Sequence, residues 1–306
     1  MPGAALAQAT ANFTEEMTAI LATDPVRAER LANAEIVRAR ARPAAQMDGR
    51  LAAAHWVAAQ AQFRQGDAEQ ARASLTAATH YIPNSATGRR LRAQVALLRG
   101  LLARNNGEFG AALRYYRQAQ TGFITAHDVR GQGLALQALG ILYTDTTDPV
   151  NAIRYLNLAQ DVYRGDALFR VSLNNNFGVA LQLNDRYADS ARRFAIARDL
   201  ADQLGMKAPA FQSRLNLARS YLESENLPAV RAALRQIAAS ETVASTVQQV
   251  QLDQIRSGLA QREGRIADAE QYLDRALTGI AAVADPIAQR RVYGDAYRFY
   301  RSQGQT

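Results

Sequence analysis

Cysteine is absent from the chain, which excludes a disulfide framework, a thiol nucleophile and any Cys-ligated zinc or iron–sulfur site. Histidine is nearly as scarce, and His55, His80 and His127 stand too far apart to form a ligand pair on one helix. Lys207 is the single lysine among 36 basic side chains, and it sits in the run Gly205-Met206-Lys207-Ala208. A phosphate-binding loop of the Gly-Lys-Ser/Thr type is therefore missing. No Gly-x-Ser-x-Gly elbow occurs. No apolar run approaches the roughly 18 residues needed to span a bilayer. Asp and Glu are frequent, but a carboxylate pair in a helical repeat is usually a solvated face or a cap. The chain is not expected to be an enzyme, and no cofactor or metal is expected.

What is present is apolar surface and arginine. Of 306 residues, 48% are hydrophobic and 21% charged, enough to bury a large core and too apolar for a disordered tail. The net charge is +8, and it is made almost wholly of arginine. A nucleic-acid protein shows a basic stripe or a reading motif. Here the arginines are scattered and interrupted by Asp and Glu, and even Arg89, Arg90 and Arg92 alternate around a helix. A nucleic-acid adaptor would need them on one continuous surface, so nucleic acid is not the expected partner.

The chain repeats itself. TDPVRA at Thr23–Ala28 returns as TDPVNA at Thr147–Ala152. Turn signals of the same kind recur at Gln65–Ala71, Asn106–Ala112, Asn184–Ser190, Glu225–Val230 and Glu263–Ala269. The residue in the first turn after each is Ala28, Ala71, Ala112, Ala152, Ser190, Val230 or Ala269, at spacings of 43, 41, 40, 38, 40 and 39. Apolar residues step by three and four before each turn, as in Leu136, Leu139 and Tyr143, and again after it, as in Ala152, Tyr155, Leu156 and Ala159. That is the grammar of paired amphipathic helices. Gly, Asn or Asp ends the first helix, and Asp or Asn can cap the second. Small residues at Gly100, Gly140, Gly178 and Ala218 fall midway along the first helices, where a partner helix must come close.

These residues resemble the tetratricopeptide repeat, whose units carry Leu-Gly, Tyr, a Gly-Asp turn, then Ala, an aromatic and Ala. One unit shows Gly100, Gly107, Phe109, Ala112, Tyr116 and Ala119 in those places; the next shows Leu139, Gly140, Tyr143, Ala152, Leu156 and Ala159. The familiar repeat is about 34 residues and these are nearer 40, which resembles the longer-helix versions. Glu35 and Ile237 depart from the pattern, standing where the family prefers alanine. The resemblance implies an all-α fold, a right-handed α-solenoid of seven helical hairpins plus one C-terminal helix. Its domain is expected to run over residues 12–306.

By the same resemblance the first helices line a concave groove that binds a peptide or protein segment. The residues expected to face it are Trp56, Phe63, Gln137, Asn175, Asn176, Val179, Leu215, Asn216 and Arg219, joined by Gln60, Leu97, Leu101, Ile141, Gln251 and Gln254. Asn176 and Asn216 are the sharpest pair. Each lies two residues before a small residue, Gly178 or Ala218, and they are 40 apart. In long-repeat relatives an asparagine there grips a bound backbone, because an amide both donates and accepts. The alternative is an amide that bonds to a neighbouring helix.

The ends carry two further expectations. Residues 1–11 read as a disordered leader or the remnant of a signal peptide, with Ala5-Leu6-Ala7 resembling a cleavage site; an alanine-rich chain also produces such triplets by composition. Tyr293, Ala296, Tyr297 and Tyr300 match the first helix of a further unit, read either as a fragment of a longer protein or as an aromatic cap. The whole resembles the sensor arrays of bacterial diguanylate cyclases or histidine kinases. It implies a non-enzymatic scaffold in a larger signalling protein, periplasmic or exported. The alternative is a cytoplasmic regulator that binds a short signalling peptide.

Overall fold

Fifteen helices account for nearly all of the described chain, which in this computed structural model comprises residues 2–41, 44–240, 244–283 and 286–304. No strand occurs among those residues. The chain divides into two compact units, Met1–Gly165 and Asp166–Thr306. The first holds α1 (Pro2–Thr23), α2 (Pro25–Arg40), α3 (Ala44–Gln65), α4 (Ala68–His80), α5 (Ala86–Asn105), α6 (Phe109–Thr125), α7 (Val129–Asp145) and α8 (Pro149–Val162). The second holds α9 (Ala167–Gln182), α10 (Tyr187–Gln203), α11 (Lys207–Glu223), α12 (Leu227–Ala238), α13 (Thr246–Arg262), α14 (Ile266–Ala281) and α15 (Pro286–Ser302). Within each unit successive odd helices touch, and α2, α4, α6, α10 and α14 each pack on the odd helices before and after them, while α8 packs on α7 and α12 on α11. This is the hairpin layer of an α-solenoid, seven hairpins and a final helix, as the spacing implies.

One turn geometry does most of the joining. In the turn after α3, the Gly66 amide donates to the Phe63 carbonyl and the Asp67 amide reaches back to Gln62. The same pair of bonds closes the turns at Gly107, His127, Thr147, Asp185, Gly205, Glu225 and Gly264. All eight of these residues have positive φ, the left-handed stop of a helix. Four of these turns lead into a helix with a side-chain cap: Asp67 accepts from Gln70, Asp128 from Gly131, Asp148 from Asn151 and Asn226 from Ala229, and Asp24 caps α2 in the same way. Such a cap contributes about 1 kcal/mol.

Small residues set the depth of each hairpin. A Cβ added at Gly140 would lie 2.7 Å from Leu156 Cγ and 3.3 Å from the Ala152 carbonyl oxygen. At Gly100 it would enter the Tyr116 ring, and at Gly178 the Phe194 ring. Tyr116, Leu156 and Phe194 are fully buried at those crossings. Glu35, the charged residue at an alanine position, is buried too, and Arg50 Nε meets its carboxylate at 2.7 Å. Arg50 also donates to the Ala9 carbonyl and lies 4.4 Å over the Phe13 ring, so one guanidinium ties α1, α2 and α3 together.

At the amino-terminal end, α1 starts at Pro2 and takes in residues 2–11, the stretch expected as a disordered leader or signal-peptide remnant. The run Ala4-Ala5-Leu6-Ala7-Gln8-Ala9 is built from the strongest helix formers, and proline suits a first helical position.

Candidate functional site

Three consecutive asparagines on α9 are sorted by the 100° step of the helix. Asn174 is buried; its amide donates to the Arg170 carbonyl at 2.8 Å and its oxygen accepts from Arg193 at 3.1 Å. That guanidinium sits 4.1 Å over the Phe177 ring. Asn175 accepts from Ser213 Oγ of α11 at 3.1 Å, which makes it a cross-link between neighbouring helices. Asn176 is half-buried and has no hydrogen-bond partner among the described residues.

The phase of the small-residue seam explains this order. Gly178 faces Phe194 of α10. A residue two positions earlier is turned about 160° from that direction, onto the side away from α10. A residue three positions earlier is turned only about 60° away, toward the following odd helix. Asn216 holds the first of these positions on α11, two before the buried Ala218. Its oxygen accepts from Gln212 at 3.2 Å, while its amide nitrogen has no partner among the described residues.

Further amides continue from Asn216 across unit two. Gln212 donates to Gln251 of α13 at 2.9 Å and accepts from Gln248 at 3.3 Å. Arg219 donates to Gln254 at 3.1 Å, and Gln254 donates to Asp295 of α15 at 2.6 Å. Burial and the nearby Arg291 charge pull Arg219 below the usual arginine pKa, against the opposing pull of Asp295 and Glu223. The structure thus brings Asn216, Arg219, Gln251 and Gln254 onto one polar row. It adds Gln212, Gln248 and Asp295, which are not among the residues expected from the sequence. Gln212 was legible as the partner one turn before Asn216. Asp295, 41 residues after Gln254, was legible from the repeat register.

Several expected groove residues are elsewhere. Leu215 is 1% exposed and belongs to the core of unit two with Leu252 and Ile255 of α13. It lies three before Ala218, the phase that packs on the next odd helix. Gln137, three before Gly140, is 5% exposed and engaged within the fold. Trp56, three before Ala59, is 7% exposed and part of the core of unit one, against which Phe63 is half-buried. Val179 is half-buried beside Phe194 and Leu217. Leu215, Gln137 and Trp56 are packing residues, not an open lining.

Unit one has its own buried polar atoms. His55 Nε2 and Trp56 Nε1 have no hydrogen-bond partner, and the His55 ring stacks on Tyr81 with centroids 6.0 Å apart. Burial, with the Arg40 charge in support, holds the imidazole below its ordinary pKa. No group of three His, Asp or Glu side chains among the described residues could hold a metal ion. No helix among them is long and apolar enough to cross a membrane.

No protein-family model matches the chain, and no curated protein matches it. Solved structures do. A tetratricopeptide repeat protein from Parabacteroides merdae is 16% identical over 94% of this chain and 99% of that one, with a TM-score of 0.55. RapI in its apo form is 11% identical over 96% and 86%, with a TM-score of 0.64. A Rap protein complexed with competence and sporulation factor is 12% identical over 97% and 98%, with a TM-score of 0.57. At these identities the likeness is one of fold: the chain has the helical-repeat architecture of tetratricopeptide repeat and Rap proteins.

Proposed function

We propose that the chain is a non-enzymatic scaffold that holds an extended peptide or protein segment along the odd-helix face of unit two. One observation carries the reading. Asn176 and Asn216 occupy the same register position, and each keeps an amide donor free of the protein. A peptide backbone presents carbonyls and amides in a row, the partner that such side chains suit. The Gln212–Gln251 and Arg219–Gln254–Asp295 bonds fix the neighbouring polar groups in place.

The finer reading, a sensory or interaction domain of a larger bacterial signalling protein of the diguanylate cyclase or histidine kinase kind, rests on the organisation of the sequence. A cytoplasmic regulator that takes a short signalling peptide is the second reading. The likeness in fold to a Rap protein complexed with competence and sporulation factor favours it.

The test is a random dodecapeptide library selected on the full chain, followed by calorimetry of the enriched peptides. A neutral hydrogen bond is worth about 0.5–1.5 kcal/mol net, so Asn176→Ala with Asn216→Ala should weaken binding about five- to a hundredfold. Helix content should be unchanged, since neither residue lies on the small-residue seam. Equal affinity of the double variant for the enriched peptides would remove the two asparagines from the site.

A further inference from the structure

A second candidate site lies in unit one, on the α5/α6 hairpin. These two helices carry Arg89, Arg90, Arg92, Arg99, Arg104, Arg114 and Arg117 and no aspartate or glutamate. Two of these arginines are neutralised by the following hairpin segment: Arg90 meets Asp128 at 2.6 Å, and Arg104 pairs with Asp145. Three of the others, Arg89, Arg92 and Arg117, surround a cavity of about 490 Å³ between the first turns of α5 and the second half of α6. That volume falls within the range of about 300–1,000 Å³ typical of small-molecule sites.

The cavity has one sign of charge. No carboxylate lines it. The guanidinium groups of Arg89 and Arg117 make no hydrogen bond or ion pair among the described residues, and that of Arg92 reaches only the Pro83 carbonyl, at 3.3 Å. Arg89 also stands in the first turn of α5, a turn without an acidic residue, where the helix dipole disfavours a cation. Arginines gathered there work against helix stability until an anion joins them. The floor is apolar, and α5 and α6 nearly touch there: a Cβ added at Gly122 would lie 2.9 Å from the Ala93 Cβ. Thr121 offers a hydroxyl along one wall, while the Thr125 hydroxyl donates to the Thr121 carbonyl at 3.0 Å.

We infer that this cavity binds a small organic anion with a flat apolar body. Its phosphoryl group is held by Arg89, Arg92 and Arg117, and its ring lies over the Ala93–Gly122 floor. Guanidinium groups suit both parts, since they bond phosphate in forks and stack on aromatic faces. The site is separate from the peptide face of unit two and does not depend on it.

The experiment is calorimetric titration of the full chain with 1-naphthyl phosphate, beside 1-naphthol and inorganic phosphate. Saturable binding of the naphthyl phosphate is expected, tighter than that of either comparator. Arg89→Gln with Arg117→Gln should weaken it by about tenfold or more. Thr121→Trp, an exposed change that fills the cavity from its wall, should remove it. Arg114→Gln, on α6 but outside the cavity, should leave it unchanged. Absence of saturation at millimolar naphthyl phosphate, 1-naphthol binding as tightly as the phosphate, or undiminished binding to the arginine double variant would each overturn the assignment.

Discussion

Whether α9 and α10 can pack as they do depends on a missing side chain. Gly178 leaves room for the Phe194 ring, and Gly140 leaves room for Leu156. Neither ring nor branched chain has space to retreat, because both are fully buried. Leucine at either glycine should therefore destabilise the protein by about 1–3 kcal/mol through overpacking, read as a lower urea midpoint. An unchanged midpoint for both Gly140→Leu and Gly178→Leu would mean the hairpins are looser than the crossing distances imply. These glycines were legible in the sequence because a small residue repeated at a fixed register marks a close helix crossing. The groove residues were harder to read. Leu215 differs from the half-buried Asn216 by one residue, and one residue is 100° of helix. Letters alone do not set that angle; the contact between Gly178 and Phe194 does. Among Asn174, Asn175 and Asn176, three identical side chains have three roles, and only the neighbours Arg193 and Ser213 tell them apart.

At the scale of the element, eight turns share one set of bonds but not one residue. Gly66, Gly107, Gly205 and Gly264 adopt positive φ freely, whereas His127, Thr147, Asp185 and Glu225 adopt it with a side chain attached. Thr147 is the most strained choice, since its branched Cβ crowds the backbone in the left-handed region. Thr147→Gly should raise stability by about 0.5–1 kcal/mol, the conformational relief exceeding glycine's added freedom in the unfolded chain. Asp185→Gly should gain less, because Asp tolerates this conformation better. A melting temperature lowered by Thr147→Gly would contradict this account. The turns were legible because Gly, Asn and Asp mark them, and Asp24, Asp67 and Asp148 each cap the next helix. The start of α1 was not: an alanine-rich run suits a helix and a cleavage site equally well, and local composition does not choose between them.

At the scale of the whole chain, the repeat register runs without interruption from Ala28 to Ala269, yet the contacts fall into two units. The shortest spacing, 38, separates Ala152 from Ser190 and spans the boundary. There α8 ends in an extended Tyr163 rather than in a left-handed turn, and Asp166 caps α9 afresh. The sequence marks this place only by Gly165 and a small change of period. In a repeat protein, stability is close to a sum of unit and neighbour terms, and about three repeats suffice to bury a continuous core. The first unit has four hairpins and a core that runs from Phe13 to Leu102 in one cluster. The second has three hairpins with α15, and a core from Phe211 to Leu259. Residues 1–165 and residues 166–306, expressed as separate chains, should each be helical by far-UV circular dichroism. Each should unfold in urea with a slope smaller than that of the full chain, because the slope follows the surface exposed. A coil spectrum from either half in buffer would mean that its hairpins fold only with the other half attached.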